Sequence, residues 1–173
     1  MSSIDILALY RGVAQRALRL ETRRRYAVSW EDEQLAAWRR GDPAPSNSRI
    51  DASDATIREI AESGRRIVRV RFVEVPLTEY ERYEFEVGYP DNSAAGEEIR
   101  VVDRAVHPEL DHVCDDFVLF DEAAVVWYRY DSGDHLTGYE YADEPEVVHD
   151  CLALAEQALA VAVPYAEFLA SIR

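Results

Sequence analysis

The strongest constraint on the fold is a change in hydrophobic period just after Gly64. From residue 67 to residue 75, apolar side chains alternate with Arg69 and Arg71. A period of two places successive side chains on opposite faces of a strand, so this run predicts a β-strand. The chain is therefore predicted to change there from a helical segment to a part that contains a sheet.

The part before this change, residues 1–64, is predicted to be helical because its apolar residues recur at a spacing of three and four. The predicted elements are a helix over 4–25 capped by Ser2 or Ser3, a helix from Ser29 to Gly41, a loop over 41–53 and a helix from Ser53 to Gly64.

Residues 65–173 are predicted to form strand, helix, strand, a three-strand meander and a closing helix. The pattern Thr78-x-x-Glu81 is a capping box and favours a helix over 79–87, although the alternation within that stretch leaves a strand open. The remaining predicted elements are strands over 99–102, 117–120, 123–130 and 136–141, and a helix from Pro145 that Pro164 breaks.

This order of elements predicts the fold class. A crossover between parallel strands, followed by antiparallel strands, gives a mixed sheet with helices on both faces. We therefore expect an α/β or α+β fold with roughly five strands, a count near the average for globular sheets. A chain of 173 residues has the length of one domain, so we expect residues 1–173 to form a single domain.

Charge excludes several functions. The chain has 34 acidic and 19 basic residues, and every basic residue is arginine, so chemistry that needs lysine is excluded. The net charge of -15 argues against direct binding of nucleic acid. Residues 1–71 hold 14 arginines and 10 acids and residues 72–173 hold 5 and 24, which favours a cationic protein partner.

The same composition bears on location and cofactors. No apolar run reaches the length that spans a bilayer, and the start of the chain lacks the pattern of a signal peptide, so we expect a cytoplasmic protein. No cofactor motif occurs, and none is predicted.

Several motifs together resemble a family of small acidic actinobacterial domains of unknown function. They are Leu20-Glu21-x-Arg23, Tyr26, Trp38, Gly64, Arg69-Val70-Arg71, Pro76-Leu77-Thr78-Glu79-Tyr80-x-Arg82-x-Glu84, Ala95-Gly96-Glu97-x-Ile99-Arg100 and Asp116-Phe117-x-Leu119-Phe120-Asp121. Genes of this family often lie near helix-turn-helix regulators. The resemblance therefore implies a regulatory setting.

The order of elements also resembles, more distantly, one half of the phospholipase D-like fold. The signature of that fold is a His, a Lys two residues later and an Asp five residues after the Lys. Cys114 stands at the His position, Asp116 at the Lys position, and Asp121 is retained. The resemblance implies a degenerate member that senses or docks without cleaving phosphoesters.

Three arginines form the first candidate site. Arg69 and Arg71 share a strand face, and a neighbouring strand is expected to add Arg100, which would give an anion-binding cluster. The alternative is that these arginines form structural ion pairs with Glu21, Glu84 or Glu97.

Carboxylates give a second candidate. Asp116, Asp121 and Glu97 are the residues that a metal-dependent hydrolase or a nuclease-like toxin would use. The spacing of His, Cys and carboxylate residues over 107–122 matches no standard metal motif, so no metal site is predicted. A thiol enzyme built on Cys114 also lacks any local signature.

Aromatic residues give a third candidate. Tyr80 and Tyr83 lie three apart, and Tyr128 and Tyr130 share one face of a strand. Such residues are usually core or cross-strand pairs, but with Arg71 nearby they are also suited to line a pocket.

The sequence therefore predicts a non-catalytic regulatory or interaction domain. We expect a protein partner such as a helix-turn-helix regulator, a small anionic ligand, and homodimer formation as an open alternative. The residues assigned to ligand binding are Arg69, Arg71, Arg100, Tyr80, Glu84, Glu97, Asp116 and Asp121.

Overall fold

The fold is a mixed sheet with helices on both faces, seen in a computed structural model that describes residues 4–172. Within these residues seven strands form one sheet: β1 (Arg16–Glu21), β2 (Arg66–Val73), β3 (Glu98–Asp103), β4 (Phe117–Phe120), β5 (Ala124–Tyr130), β6 (Leu136–Ala142) and β7 (Val163–Pro164). The helices are α1 (Ile6–Gly12), α2 (Asp32–Arg40), α3 (Ser48–Glu62), α4 (Glu79–Tyr83), α5 (Tyr89–Ala95), α6 (Pro145–Val161) and α7 (Tyr165–Ser171). A π-helical turn, Glu84–Gly88, joins α4 to α5, and 3₁₀ turns occupy Ser29–Glu31 and Pro108–Leu110.

The strand order is β6-β5-β4-β1-β2-β3-β7. β1, β2 and β3 run parallel to one another, whereas the pairs β1–β4, β4–β5, β5–β6 and β3–β7 are antiparallel. The predicted class of a mixed α/β sheet flanked by helices is therefore confirmed, with seven strands in place of about five.

The prediction of one helix over 4–25 is wrong. α1 ends at Gly12, and the chain then forms β1, the central strand of the sheet. Leu18 and Leu20 are buried on one face of β1, and Ala17 is buried on the other. Ala17 and Leu18 continue the helical spacing of the apolar residues in α1, which is why the pattern predicted a helix here.

Two other boundaries differ from the prediction. α3 begins at Ser48 and not at Ser53, because the side chain of Asn47 accepts hydrogen bonds from the amides of Arg49 and Ile50 and caps the helix there. The cap predicted at Ser2 or Ser3 lies outside the described residues, and Asp5 caps α1.

The remaining elements agree with the prediction. Residues 79–87 are helical, and Thr78 and Glu81 form the predicted capping box. The meander of β4, β5 and β6 is confirmed, and α6 ends just before Pro164. The short strand β7 then adds an edge to the sheet beside β3.

The two faces of the central strands carry different chemistry. On one face Leu18, Leu20, Val68 and Val70 pack in a core that includes residues of α6. On the other face β1 and β2 present arginine and glutamate side chains beneath the layer formed by α2 to α5. None of the helices within residues 4–172 is long and apolar enough to cross a membrane.

Candidate functional site

A cavity of about 590 Å³ lies over the polar face of the sheet. Residues of β1, β2 and β5 line it, as do residues of α3, α5, the π-helical turn and the segment that leads into α2. Its volume is in the range of sites that bind small molecules. Its ionisable and aromatic lining residues are Arg19, Glu21, Tyr26, Trp30, Glu31, Asp54, Arg69, Tyr80, Tyr83, Glu84, Tyr89, Asp91, Tyr128, Tyr130, Asp134, His135 and Tyr139.

The sheet register brings the ionic side chains together. Arg19 lies beside Arg69 across the β1–β2 pair, and Glu21 lies beside Arg71. Because alternate residues of a strand share a face, all four point away from α6. Two neighbouring parallel strands thus place three arginines and one glutamate under the helical layer.

Six of these charges form a closed group, which we call the arginine–glutamate network: Arg19, Arg69, Arg71, Glu21, Glu84 and Glu97. Arg69 donates to both carboxylate oxygens of Glu97, from Nε at 2.8 Å and from Nη2 at 3.1 Å, and its Nη1 donates to Glu21 at 3.2 Å. Arg19 Nη2 lies 2.8 Å from Glu21 Oε1.

Arg71 is the most deeply buried member of the network, with no exposed surface. Its Nη2 donates to Glu84 at 2.7 Å, and its Nη1 lies 3.7 Å from Glu21. The guanidinium also lies 5.0 Å from the ring centre of Tyr26. A buried charge needs such compensation, because an unpaired ion in this environment is strongly destabilising.

The network fixes the charge state of its central carboxylate. Burial alone would raise the pKa of Glu21, but Arg19, Arg69 and Arg71 outweigh it and hold the pKa at about 2. Burial would lower the pKa of Arg69, but Glu21 and Glu97 outweigh it and the pKa is raised. These groups are therefore ionised across the physiological range and act as permanent charges.

Glu84 differs from the other carboxylates of the network. It begins the π-helical turn, an irregularity that often occurs at functional sites because it shifts a side chain out of the regular helix. Burial raises the pKa of Glu84 to about 8, against the lowering effect of Arg71. Glu84 therefore takes up and releases a proton near neutral pH.

Aromatic rings form much of the remaining wall. The ring of Tyr26 lies 5.5 Å from that of Tyr130 and 6.3 Å from that of Tyr80, and the rings of Tyr80 and Tyr83 are 6.2 Å apart. These separations are typical of favourable aromatic pairs. Arg19 stacks over Tyr128, 4.7 Å from its ring centre. The four tyrosines singled out from the sequence thus line one cavity together.

Some buried polar atoms of this site have no hydrogen-bond partner among the described residues. They are Nε of Arg19, Nε and Nη1 of Arg71, Oδ1 of Asp54 and the hydroxyl of Tyr89. Of these residues, Arg19, Asp54 and Tyr89 line the cavity. Native proteins seldom bury such atoms without a partner, so these positions are suited to contact a bound molecule.

Of the predicted ligand-binding residues, Arg69, Arg71, Tyr80, Glu84 and Glu97 lie in or against this site. Their contacts are those of the alternative prediction, in which the arginines form ion pairs with glutamates: Arg69 is bonded to Glu97 and Arg71 to Glu84.

The prediction that Arg100 completes the cluster is wrong. The register pairs Arg100 with Val70, so it lies on the face that packs against α6. There it donates to Glu98 at 2.7 Å and to the carbonyl oxygen of Ala162 at 3.3 Å.

Asp116 and Asp121 do not join the site or each other. β4 separates them by about 16 Å, given ~3.3 Å per residue. Asp116 accepts hydrogen bonds from the amide and hydroxyl of Thr22 and from the hydroxyl of Tyr26. Asp121 accepts three amide hydrogen bonds, from residues 14 to 16 at 2.6 to 2.9 Å. Both carboxylates therefore hold backbone segments in place.

The three carboxylates that a metal-dependent hydrolase would use do not come together. Glu97 is bonded to Arg69 and lies apart from both aspartates. Within residues 4–172, no three His, Cys, Asp or Glu side chains are placed to hold a metal ion.

Sequence reasoning missed several residues of the cavity, chiefly Arg19, Glu31, Asp54 and Tyr89. Arg19 was hidden by the helix prediction, although Leu18 and Leu20 alternate with charged residues in a way that indicates a strand. The other three come from separate helical segments, and no local pattern links them.

In a comparison with known proteins, the chain matches a family model, and no curated protein matches it. The match is described as "Domain of unknown function (DUF6879)" and covers residues 5–170, which includes all seven strands and both walls of the cavity. It carries no assigned activity. The chain belongs to the DUF6879 family of domains of unknown function.

Proposed function

We propose that this chain is a non-catalytic regulatory domain that binds a small organic molecule in the cavity and acts with a protein partner in the cytoplasm. The observation that carries the proposal is the arginine–glutamate network beneath a cavity of about 590 Å³. Its charges are bonded to one another, so they shape and polarise the cavity floor and leave no activated nucleophile.

The cysteines support a role without catalysis. Cys151 is buried in the core between α6 and the sheet, on the face opposite the cavity, and Cys114 does not line the cavity. The hydrolase or toxin alternative required Asp116, Asp121 and Glu97 to converge, and their separate partners speak against it.

The anionic ligand expected from the sequence fits the cavity less well than a polar organic molecule. The donor nitrogens of Arg69 are already bonded to Glu21 and Glu97. Arg19 is bonded to Glu21 through Nη2, and its buried Nε has no partner among the described residues. An anion in the cavity would therefore have to compete with Glu21 and Glu97 for guanidinium groups that these carboxylates already bind.

The partner surface that we propose is the acidic part of the chain after β5. Residues 130–172 contain nine carboxylates and no arginine. All nine except Asp134 are exposed, and several cluster around the start of α6, namely Asp143, Glu144, Glu146 and Asp150. Such a surface attracts a basic protein, and a helix-turn-helix regulator is the class that we propose.

Affinity capture from native cell extract tests this part. The immobilised chain is expected to retain a basic protein at about 50 mM salt and to release it at about 500 mM, where screening shortens the reach of charges to a few ångströms. A matched variant, D143N/E144Q/E146Q/D150N, should fold normally by circular dichroism and lose the partner. Equal retention by the variant, or retention that salt does not affect, would contradict the proposal.

We also propose that the family is actinobacterial and derives from a phospholipase D-like half. The support is the residue pattern, in which Cys114 and Asp116 stand at the positions of the His and Lys of the signature. The bonds of Asp121 to three backbone amides fit a scaffold in which the retained aspartate serves structure.

A further inference from the structure

The charge balance of the cavity indicates what kind of ligand it takes. The arginine–glutamate network contains three arginines and three glutamates, so its charges balance when Glu84 is ionised and leave one positive charge when Glu84, whose pKa burial raises to about 8, is protonated. Asp134, at the rim, pairs with Arg23. These groups therefore leave at most one excess positive charge on the cavity floor.

Three further carboxylates line the cavity without a cationic partner among the described residues: Glu31, Asp54 and Asp91. Glu31 accepts a hydrogen bond from the hydroxyl of Tyr80 at 3.1 Å. Oδ1 of Asp54 is buried and has no hydrogen-bond partner. Burial raises the pKa of Asp54, and the nearby carboxylate of Asp91 raises it further, against the lowering effect of Arg58. The helical side of the cavity thus carries three carboxylates that form no ion pair among the described residues.

An independent observation also points to a ligand. Tyr89 is only 1% exposed and lines the cavity, yet its hydroxyl has no partner within the described residues. A buried hydroxyl without a partner is unfavourable, and a polar group of a bound molecule would satisfy it. This group is separate from the three carboxylates, since its ring belongs to the core beside Phe85 and Phe168.

We propose that the cavity binds an organic cation, namely a protonated amine on a small aromatic or apolar skeleton. The uncompensated carboxylates supply the ion pair, and the tyrosine faces attract a cation and pack against the skeleton. The arginines that would bind an anion are already bonded to glutamates. This inference rests on the proposed function, because it names the class of molecule that the regulatory domain senses.

Three matched probes test the charge preference: tyramine, tyrosol and 3-(4-hydroxyphenyl)propionate. They share a phenol ring and a short chain, and they end in an amine, an alcohol and a carboxylate. Isothermal titration at pH 7 should show tyramine binding about tenfold more tightly than tyrosol, and the propionate more weakly than both.

Variants locate the binding. Asp54→Asn and Glu31→Gln should each lower the affinity for tyramine by about tenfold and leave the affinity for tyrosol nearly unchanged, because only the ion pair is lost. Asp51→Asn, an exposed acid on α3 outside the cavity, removes the same charge and should leave both affinities unchanged.

Each outcome decides the inference. The inference that the cavity prefers a cation is wrong if the three probes bind equally, if the propionate binds best, or if Asp54→Asn has no effect. The cavity would then still be a site that binds small molecules. If tyramine does not bind even at millimolar concentration, the cation inference fails. The proposed regulatory role is tested separately, by whether capture of the protein partner depends on salt.

Discussion

Arg71 is fully buried on the polar face of the sheet, where its Nη2 bonds to Glu84 at 2.7 Å and its guanidinium lies over Tyr26. Burying a guanidinium is unfavourable unless its charge is compensated, so the stability of this region depends on the whole group of partners. The same side chain also separates two carboxylates, Glu21 and Glu84, that would otherwise repel each other.

We expect Arg71→Met to lower the free energy of unfolding by about 3–5 kcal/mol, because it leaves buried carboxylates without their cation. Urea unfolding followed by circular dichroism measures the change. Arg66→Met is the matched control, since Arg66 lies on the same strand but pairs with Glu98 at the surface and should contribute under about 1 kcal/mol. Equal losses in the two variants would contradict a stabilising role for the buried network.

Adding Glu84→Gln to Arg71→Met should restore roughly 1 kcal/mol or more, because the buried Glu84 must take up a proton on folding at neutral pH and a glutamine does not. If the double variant were less stable than Arg71→Met alone, Glu84 would be stabilising the fold independently of Arg71.

Glu84 should give stability an unusual dependence on pH. Burial raises its pKa from 4.5 to about 8 in the folded chain, so between these values the folded state binds more protons than the unfolded state. Stability from this group is therefore complete below pH 4.5 and is lost as the pH rises towards 8. Unfolding measured from pH 5.5 to 8.5, above the pI of about 4.6, should show the wild type losing stability relative to Glu84→Gln.

Glu98→Gln is the control for this pH prediction. Burial would raise the pKa of Glu98, but Arg66 and Arg100 outweigh it and the pKa is lowered, so Glu98 titrates below this window. A constant difference between the wild type and Glu84→Gln across the range would show that Glu84 is already ionised at pH 5.5.

At this scale the sequence predicted side-chain pairing better than side-chain position. Alternation along β2 placed Arg69 and Arg71 on one face, and their acidic partners were among those proposed. Arg100 was misplaced because a strand's own pattern does not reveal its register against a neighbour, and a shift of one residue moves every side chain to the other face.

Among the elements, the contact between α3 and the end of α5 depends on one glycine. Gly96 ends α5 with φ +113°, and a Cβ there would lie 2.5 Å from Cβ of Ala61. Both the backbone conformation and the close approach exclude a side chain. This contact sets the position of α5, which carries Tyr89 and Asp91 into the cavity wall.

We expect Gly96→Ala to lower the free energy of unfolding by about 2–4 kcal/mol, from the strained backbone together with the steric overlap. Gly64→Ala is the matched control, because Gly64 also has a positive φ, +82°, but has open space around it. It should lose only about 1 kcal/mol, from backbone strain. If thermal and urea unfolding show that Gly96→Ala and Gly64→Ala lose the same stability, then α3 and α5 do not pack closely at Gly96 in solution.

The elements also show where sequence patterns reach their limit. The capping box of Thr78 and Glu81 predicted α4 correctly, because a local hydrogen-bond motif is visible in a local sequence. β1 was missed because its residues, buried on both faces, follow directly on a short helix whose apolar spacing they continue. β7 has only two residues and forms because β3 lies beside it.

The whole molecule is organised around β1. This strand pairs with β2 about 50 residues later and with β4 about 100 residues later, as the register of Leu18 with Val68 and with Leu119 shows. Contacts between segments so distant in the chain are the hardest to predict from local patterns, and forming them requires closing large loops. The polar cavity exists only once these strands are joined, because Glu21 comes from β1, its partners Arg69 and Arg71 come from β2, and their further partners Glu97 and Glu84 come from the segment between β2 and β3.

Two N-terminal truncations should therefore behave very differently. Removing residues 1–12 takes away α1, which has no buried residue of its own, and should leave a cooperatively folded chain with a lower melting temperature. Removing residues 1–21 also deletes β1, so β2 and β4 lose the strand between them and Arg69 and Arg71 lose Glu21. We expect this second truncation to lack a cooperative thermal transition by circular dichroism and to elute as an expanded or aggregated species. If residues 4–25 formed a covering helix, both truncations would lose stability in proportion to the surface uncovered. Cooperative unfolding of the chain that lacks residues 1–21 would therefore contradict a central strand at this position.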